Sequence, residues 1–527
     1  MIRYLLPAAI LCMSYNAGAE TVLHVAPDGD DRWSGKHAEA LADGSDGPLA
    51  TPQGARDRVR ELGRTGPITV YFADGTYHLD GSLVLEPEDS GTRSAPVTYA
   101  AGPDAAPVFS TGRPIAGWQV EDDGRWTVTL PEVAEGDWRF STLWANGAFR
   151  RPARFPNEGY LETAGRAEGY RDEETGELTE KAYTAFRFHP GDIRADWHNR
   201  EQVVVVAMHS WDTTHFHLES VDEETDTAHF DGRAVWEFER WGENQRYYVE
   251  HCREALDTPG EWYLDRVSGV LHYLPMPGED PATTHVVAPA AESVLRLEGR
   301  ADAGEYVEHV HFRGISFRHA DHSLGEGGLS NQQAAWSVQG AVQADGARFV
   351  TLTDCEVTQS GTYGIWFRAD CESVRIERCR VHHLGAGGIR VGTLGDDAYS
   401  WGWHNPGPGQ APQTHGSGPT RGVVVHNNKV YDGGLVYPAG VGVWIGRSSY
   451  NTVSNNHIHD FYYTGISVGW SWGYAPSSAQ GNIIEYNLVH DLGKGVLSDM
   501  GGIYLLGRAP GTVVRHNIFH SIDSYYY

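Results

Sequence analysis

Six short segments in the second half of the chain share one pattern: "VTLTDCEV", "VRIERCRV", "VVVHNNKV", "TVSNNHIH", "NIIEYNLVH" and "VVRHNIFH". Each alternates apolar and polar residues and carries Cys or Asn near its end. The aligned positions are Cys355, Cys379, Asn428, Asn456, Asn487 and Asn517, spaced by 24, 49, 28, 31 and 30 residues. The step of 49 crosses a Pro/Gly-rich insertion, residues 394 to 422, that carries Trp401 and Trp403. A stacked polar residue at a turn, regular short strands and insertions of variable length describe a parallel β-helix. An Asn buried at such a turn is stable when its amide bonds to the Asn of the next coil. Cys355 and Cys379 share that register and are expected as two reduced, buried thiols; a disulfide between them is the alternative.

After five of these segments comes a second strand opened by Gly and a branched apolar residue: Gly364-Ile365, Gly388-Ile389, Gly442-Val443, Gly465-Ile466 and Gly502-Ile503. Side chains alternate at period two. If the residue after Gly faces the interior, the lumen receives Ile365/Phe367, Ile389/Val391, Val443/Ile445, Ile466/Val468 and Ile503/Leu505, all apolar. The outward column is then Trp366, Arg390, Trp444, Ser467 and Tyr504. An exposed aromatic row of that spacing suits an extended sugar chain; covered by loops or another domain, it is ordinary packing. A further column, Thr358, His382, Tyr431, His459, His490 and His520, suits packing along the repeat better than a metal site, because it has no definite end. One residue on stand Asp432, Asp460 and Asp491. Carboxylates one strand spacing apart repel, so one of them can be held protonated; alternatively all are solvated turn residues.

The first half is organised differently. "PLATPQGARDRVREL" predicts one helix, with Thr51 as its cap, Pro52 in its first turn and Ala55, Val59 and Leu62 on one face. It makes a lid for the open end of the solenoid. From about Trp118 to residue 300 the repeat vanishes into irregular strands, expected as an inserted β-sandwich-like domain. The fold class expected is therefore all-β: a right-handed parallel β-helix with an N-terminal helix cap and one insertion. The domains are residues 20–117, 118–300 and 301–527.

The first nineteen residues carry Arg3, an apolar stretch from Leu5 to Met13 and Ala17-Gly18-Ala19, the pattern of a secretory signal. The expectation is a secreted or periplasmic protein with no membrane span after signal removal. The formal charge of −29 argues against nucleic acid or an anionic membrane as partner. The run "APDGDDRWSG" offers carboxylates of the type calcium takes, and otherwise no cofactor is expected.

Several longer segments carry a family resemblance. They are the opening "VAPDGDD…GPLATPQGARDRVR", then "LWANGAFRRPARFP" and "EALDTPGEWYLD", and above all "GVGVWIGRSSYNTVSNNHIHDFYYTGISVGWSWGY" and "LSDMGGIYLLGRAPGTVVRHN". From about residue 22 to its end the chain resembles glycoside hydrolase family 141, right-handed β-helix enzymes. The resemblance implies glycoside hydrolysis of the fucosidase type, on plant pectin, or of the xylanase type, with a carbohydrate as partner. It carries a catalytic aspartate onto Asp499 of "SDMGG". It also implies a second carboxylate one coil later, on a Tyr-x-Asp-Glu-Gly type segment absent from this chain, which is therefore expected to be cut short; a Tyr-rich tail that closes the end is the alternative. Asp491 stands as the second candidate catalytic carboxylate. Trp444, Tyr463, Trp470, Trp472, His490 and Tyr504 are the expected substrate-binding residues, and no metal ligands are assigned. A β-helix polysaccharide lyase or epimerase, for which the outward column offers Arg390 as base, and a non-catalytic carbohydrate-binding module are the competing readings.

Overall fold

The computed structural model describes residues 19–394, 418–471, 473–474 and 476–525. The signal segment up to residue 18, Trp401, Trp403 and Trp472 lie outside the described residues. Three long parallel sheets, of ten, nine and eight strands, wind around one lumen. In a typical coil Thr351–Thr353 belongs to the first sheet, Glu356–Thr358 to the second and Tyr363–Phe367 to the third. This is the right-handed parallel β-helix.

The inward column is as the alternation predicts except at its last member, Leu505, which is 52% exposed. Ile365, Phe367, Ile389, Val391, Val443, Ile445, Ile466 and Val468 are buried in the main apolar core, and Ile503 packs against it. The glycine that opens each third-sheet strand has a steric cause. A Cβ on Gly364, Gly388, Gly442, Gly465 or Gly502 would sit 2.2–2.5 Å from Val381, Val430, Ile458, Val489 or Phe519, the inward residues of the second sheet. Two sheets meet too closely there for any side chain.

The Asn ladder is continuous. Asn428 donates through Nδ2 to Asn456 Oδ1 at 3.0 Å, Asn456 to Asn487 at 3.0 Å and Asn487 to Asn517 at 2.9 Å. A second ladder that the repeat pattern did not reveal links Asn451 to Asn482 at 2.8 Å. The stacked rings also form: His382, Tyr431, His459, His490 and His520 lie nearly parallel with centroids 4.6–5.1 Å apart. Cys252, Cys355, Cys371 and Cys379 are all buried free thiols. Burial pushes Cys252 and Cys371 up to about 12, so the thiolate that would react is suppressed. These four are expected to resist Ellman's reagent in the native protein and to react fully on unfolding; fast reaction in the native state would contradict the packing.

The helix Pro52–Leu62 is capped by Thr51, whose Oγ1 accepts the Gly54 N–H at 2.9 Å, and it buries Ala55 and Val59. The acidic run before it is already occupied. Asp31 accepts from the Ala50 and Thr51 N–H groups, and Asp30 pairs with Arg32. These contacts tie the loop to the helix, and among the described residues no cluster of His, Cys, Asp or Glu is arranged to hold a metal. No helix among the described residues is long and apolar enough to cross a membrane.

The insertion leaves the helix after Pro107–Ser110 of the second sheet, and the chain returns at Leu295–Glu298 of the third. It has two parts. Two four-stranded antiparallel sheets share a core that includes Trp126, Trp262 and Tyr273, which is the expected sandwich. Beside it stands a barrel that the sequence did not disclose. Leu161–Arg166, Ala185–Phe188, Thr227–Phe230, Asp212–Asp222, Val204–His209 and Arg246–Glu250 pair in a closed antiparallel ring. Closure leaves no free edge on this ring. The ring presents the tip of its Val204–Asp222 hairpin to the β-helix.

Candidate active site

The corner between the second and third sheets carries the loops 319–339, 432–442 and 493–502, and the insertion springs from the same corner. This places the hairpin tip over coils far along the helix. Ser210, in the left-handed region at φ 60°, and Trp211 make the two-residue turn between the paired His209 and Asp212. The carbonyl of Ser210 accepts the Ser498 N–H at 2.8 Å. A second bond, from the Arg246 guanidinium to the Val496 carbonyl at 2.7 Å, also joins the barrel to the loop that carries Asp499.

Around this junction the structure gathers several of the residues expected at the site. Tyr463 is buried, and its hydroxyl donates to the Asp499 carbonyl at 3.1 Å. The same hydroxyl accepts from Gln333 Nε2 at 2.5 Å. Burial raises the Tyr463 pKa well above the phenol range, with Tyr504, Asp499 and Asp212 adding electrostatically. Tyr504 is half-buried and Asp499 exposed, with Asp499 itself at φ 47°. Trp444 and Trp470 meet at 5.0 Å between ring centroids.

Asp212 was missed from the sequence. It is 2% exposed, and neither carboxyl oxygen has a hydrogen-bond partner. Burial pushes its pKa well above the carboxylate range, and the Thr213 backbone offsets this only in part. Its field reaches the hydroxyls of both Tyr363 and Tyr463. Other buried polar atoms nearby also lack partners: Asn331 Nδ2, Trp444 Nε1, Ser210 Oγ and His209 Nε2. Buried polar groups are almost always paired, so such a set needs an explanation.

The expected open aromatic row is corrected. The register is right, since Trp366, Arg390, Trp444, Ser467 and Tyr504 are successive partners on the third sheet. Exposure is not: Trp444 is 0% exposed and Arg390 1%. The loop between the second- and third-sheet strands of an earlier coil, with Ala334, Trp336 and Val338, folds over the row and shares its apolar cluster. Arg390 is clamped between Trp366 and Trp444, 3.6 and 4.6 Å from their centroids, and donates to the Val338 carbonyl at 3.0 Å. Burial lowers it to about 9. It holds the cover down and is not presented as a base. Trp470, 1% exposed, donates to Ser467 Oγ at 3.0 Å, so its role too is packing.

Asp491 and His490 are also corrected. They stand on the second sheet, where Asp491 accepts from its neighbour His490 at 2.8 Å. Asp432, Asp460 and Asp491 have φ of 52–60°, the left-handed turn geometry that Asp tolerates better than most residues. They end second-sheet strands and do not form a catalytic column. Among the described residues no hydrogen bond, ion pair or ring contact joins Asp491 or His490 to Asp499, Tyr463 or Trp444.

An aromatic surface does exist, but on the barrel. Trp211, Trp236 and Trp241 are half-buried and mutually packed, with centroids 4.6–5.5 Å apart. Trp211 is the residue before Asp212, and its Nε1 donates to the Gln332 carbonyl at 2.8 Å. The segment "VWEFERWG" shows two of these tryptophans five residues apart; nothing in it says they meet the third.

The chain was compared with known proteins. A family model described as a right handed beta helix region matches residues 412–525. No curated protein matches in sequence. Among solved structures, one titled "Glycoside hydrolase" superposes with a TM-score of 0.79 at 22% identity, over 95% of this chain and 88% of that one. This likeness extends the shared fold across the insertion as well as the helix. A complex of XylC with xylose gives 0.46 at 13% identity, covering 89% of this chain and 63% of that one. Pectate lyase Pel9A gives 0.37 at 8%, covering 95% and 80%.

Proposed function

We propose that this chain is an exported glycoside hydrolase, of the fucosidase or xylanase type, whose carboxyl pair is Asp212 and Asp499. The observation that carries the reading is the contrast between them. Asp212 is buried without a partner, whereas Asp499 is exposed, and both lie around Tyr463. Glycoside hydrolysis needs one carboxyl kept protonated to donate to the leaving oxygen and another ionised to attack or to activate water. Burial fits Asp212 for the first role, and exposure fits Asp499 for the second. Tyr463, fixed by Gln333, holds the Asp499 backbone in place and is a positioning residue. The superposition on a structure titled "Glycoside hydrolase" agrees with this reading.

The test is incubation with xylan and with fucosylated pectic oligosaccharides. New reducing ends support hydrolysis. Ultraviolet-absorbing unsaturated ends would instead identify a lyase, and retention without turnover a binding module.

The tryptophan cluster supplies the ring-stacking surface expected beside such a pair. Trp241→Ala is expected to raise KM about tenfold with kcat nearly unchanged, since an aromatic contact made equally in ground and transition states affects binding alone. A fall in kcat at constant KM would place Trp241 elsewhere.

A further inference from the structure

A cavity of about 400 Å³ separates the barrel from the loops of the β-helix. It lies beside the proposed site, with Met208 and Val496 in its wall. That volume falls in the range of small-molecule sites. Its charge is the unexpected feature. In a chain of formal charge −29, this cavity is lined by three arginines, Arg151, Arg154 and Arg266, against two carboxyls, Glu158 and Glu250.

Two of these guanidiniums make no hydrogen bond or ion pair among the described residues. Arg154 is spent on the chain, donating to the Asn157 and Gly159 carbonyls at 3.1 and 2.7 Å. By contrast, among the described residues the side chains of Arg151 and Arg266 make neither a hydrogen bond nor an ion pair. Arg266 is half-buried, and both burial and neighbouring Arg139 work against its charge. The nearby carboxyl of Asp321 cannot serve it fully, because it already accepts the Ser141 and His322 N–H groups at 2.5 and 3.0 Å. A half-buried cation without a partner lowers stability, and an anionic ligand removes that penalty.

Glu250 also faces the cavity, and burial pushes it up to about 7 against the pull of Arg154 and Arg151. Near neutrality a large share of it is therefore a neutral hydrogen-bond donor that does not repel an anion. Tyr248, Tyr437 and Tyr462 contribute aromatic wall.

We infer that this cavity binds the carboxylate of an acidic sugar, a uronic acid residue of the polysaccharide or its branch, with Arg266 and Arg151 as charge partners. A guanidinium matches a planar carboxylate in bidentate geometry. That the ligand is a saccharide rests on the function proposed above; that it is an anion rests on the cavity alone.

The experiment is calorimetric titration of the Asp499→Asn chain, so that hydrolysis neither consumes ligand nor decides the outcome. The probes are galacturonic acid, glucuronic acid, their methyl esters and 6-sulfogalactose. A uronic acid is expected to bind about tenfold tighter than its ester, as one charge-assisted contact implies. That preference should vanish in Arg266→Gln and shrink in Arg151→Ala. Arg151 is exposed, so its variant carries the test even if Arg266→Gln fails to fold. Equal binding of acid and ester, absence of saturable binding, or a preference that survives both substitutions would overturn the inference. Tighter binding of 6-sulfogalactose than of both uronates would overturn the carboxylate assignment.

Discussion

Asp212→Asn is expected to lower kcat by about a hundred- to ten-thousand-fold, the usual contribution of a positioned acid or base, while leaving the protein at least as stable as before. The second half of that expectation separates a catalytic carboxyl from a structural one. The folded state holds Asp212 protonated, whereas the unfolded chain releases its proton near the ordinary 3.8. Between those two values the folded state binds more protons. Its stability contribution is therefore full below the unfolded pKa and is lost as pH rises through the folded one. Asn does not titrate and so does not lose it. The melting temperature of the variant should equal or exceed that of the parent at pH values above the ordinary carboxylate range. An unpaired acid kept at a stability cost is what a catalytic residue is expected to be.

The rate profile tests the role directly. Activity should fall on the alkaline side as Asp212 loses its proton, and that limb should be missing from the residual activity of Asp212→Asn. Asp499→Asn should lose activity to a similar degree. Its effect on stability should stay within about 0.5 kcal/mol, because the side chain is exposed and, among the described residues, makes no hydrogen bond or ion pair. An Asp212→Asn enzyme that hydrolyses at the parental rate would remove Asp212 from the mechanism. An Asp499→Asn enzyme that does so would remove Asp499.

The largest stability effect is expected in the Asn ladder. Asn456 sits at its middle. Its Oδ1 accepts both the backbone and side-chain N–H groups of Asn428 at 3.0 Å. Its Nδ2 donates to the Val425 carbonyl at 2.9 Å and to Asn487 Oδ1 at 3.0 Å. All of this is buried. Truncation to Ala strands donors and an acceptor on the Val425–Asn428 coil and an acceptor on the Asn487 coil, each worth about 1–3 kcal/mol when left unmade. Asn456→Ala is expected to cost about 3–5 kcal/mol in denaturant unfolding. The loss should be local first, because a solenoid is held together by nearest-neighbour coils. Hydrogen exchange should quicken at residues 425–428 and 484–488 before the barrel responds. A cost below about 1 kcal/mol would mean that the coils do not depend on the ladder.

The coils, the inward column, the helix cap and the ladder could be read from residues alone. Each is a local signal: alternation at period two, a cap beside its helix, one residue type recurring at one register. Even the glycines that open the third-sheet strands were visible, although their reason, contact with the inward residues of the second sheet, was not. Period two separates inside from outside, but it does not say what lies against the outside. Trp444 and Arg390 point away from the lumen as their alternation requires, yet a loop from an earlier coil buries them. The same limit hid the barrel, whose closure depends on which strand meets which. It also hid Asp212, which stands 287 residues before Asp499 in an unremarked hairpin. That both aspartates lie around Tyr463 belongs to tertiary structure alone. The insertion leaves at the loop-bearing corner and lies along the stack, and only that packing brings its hairpin tip to the loop that carries Asp499.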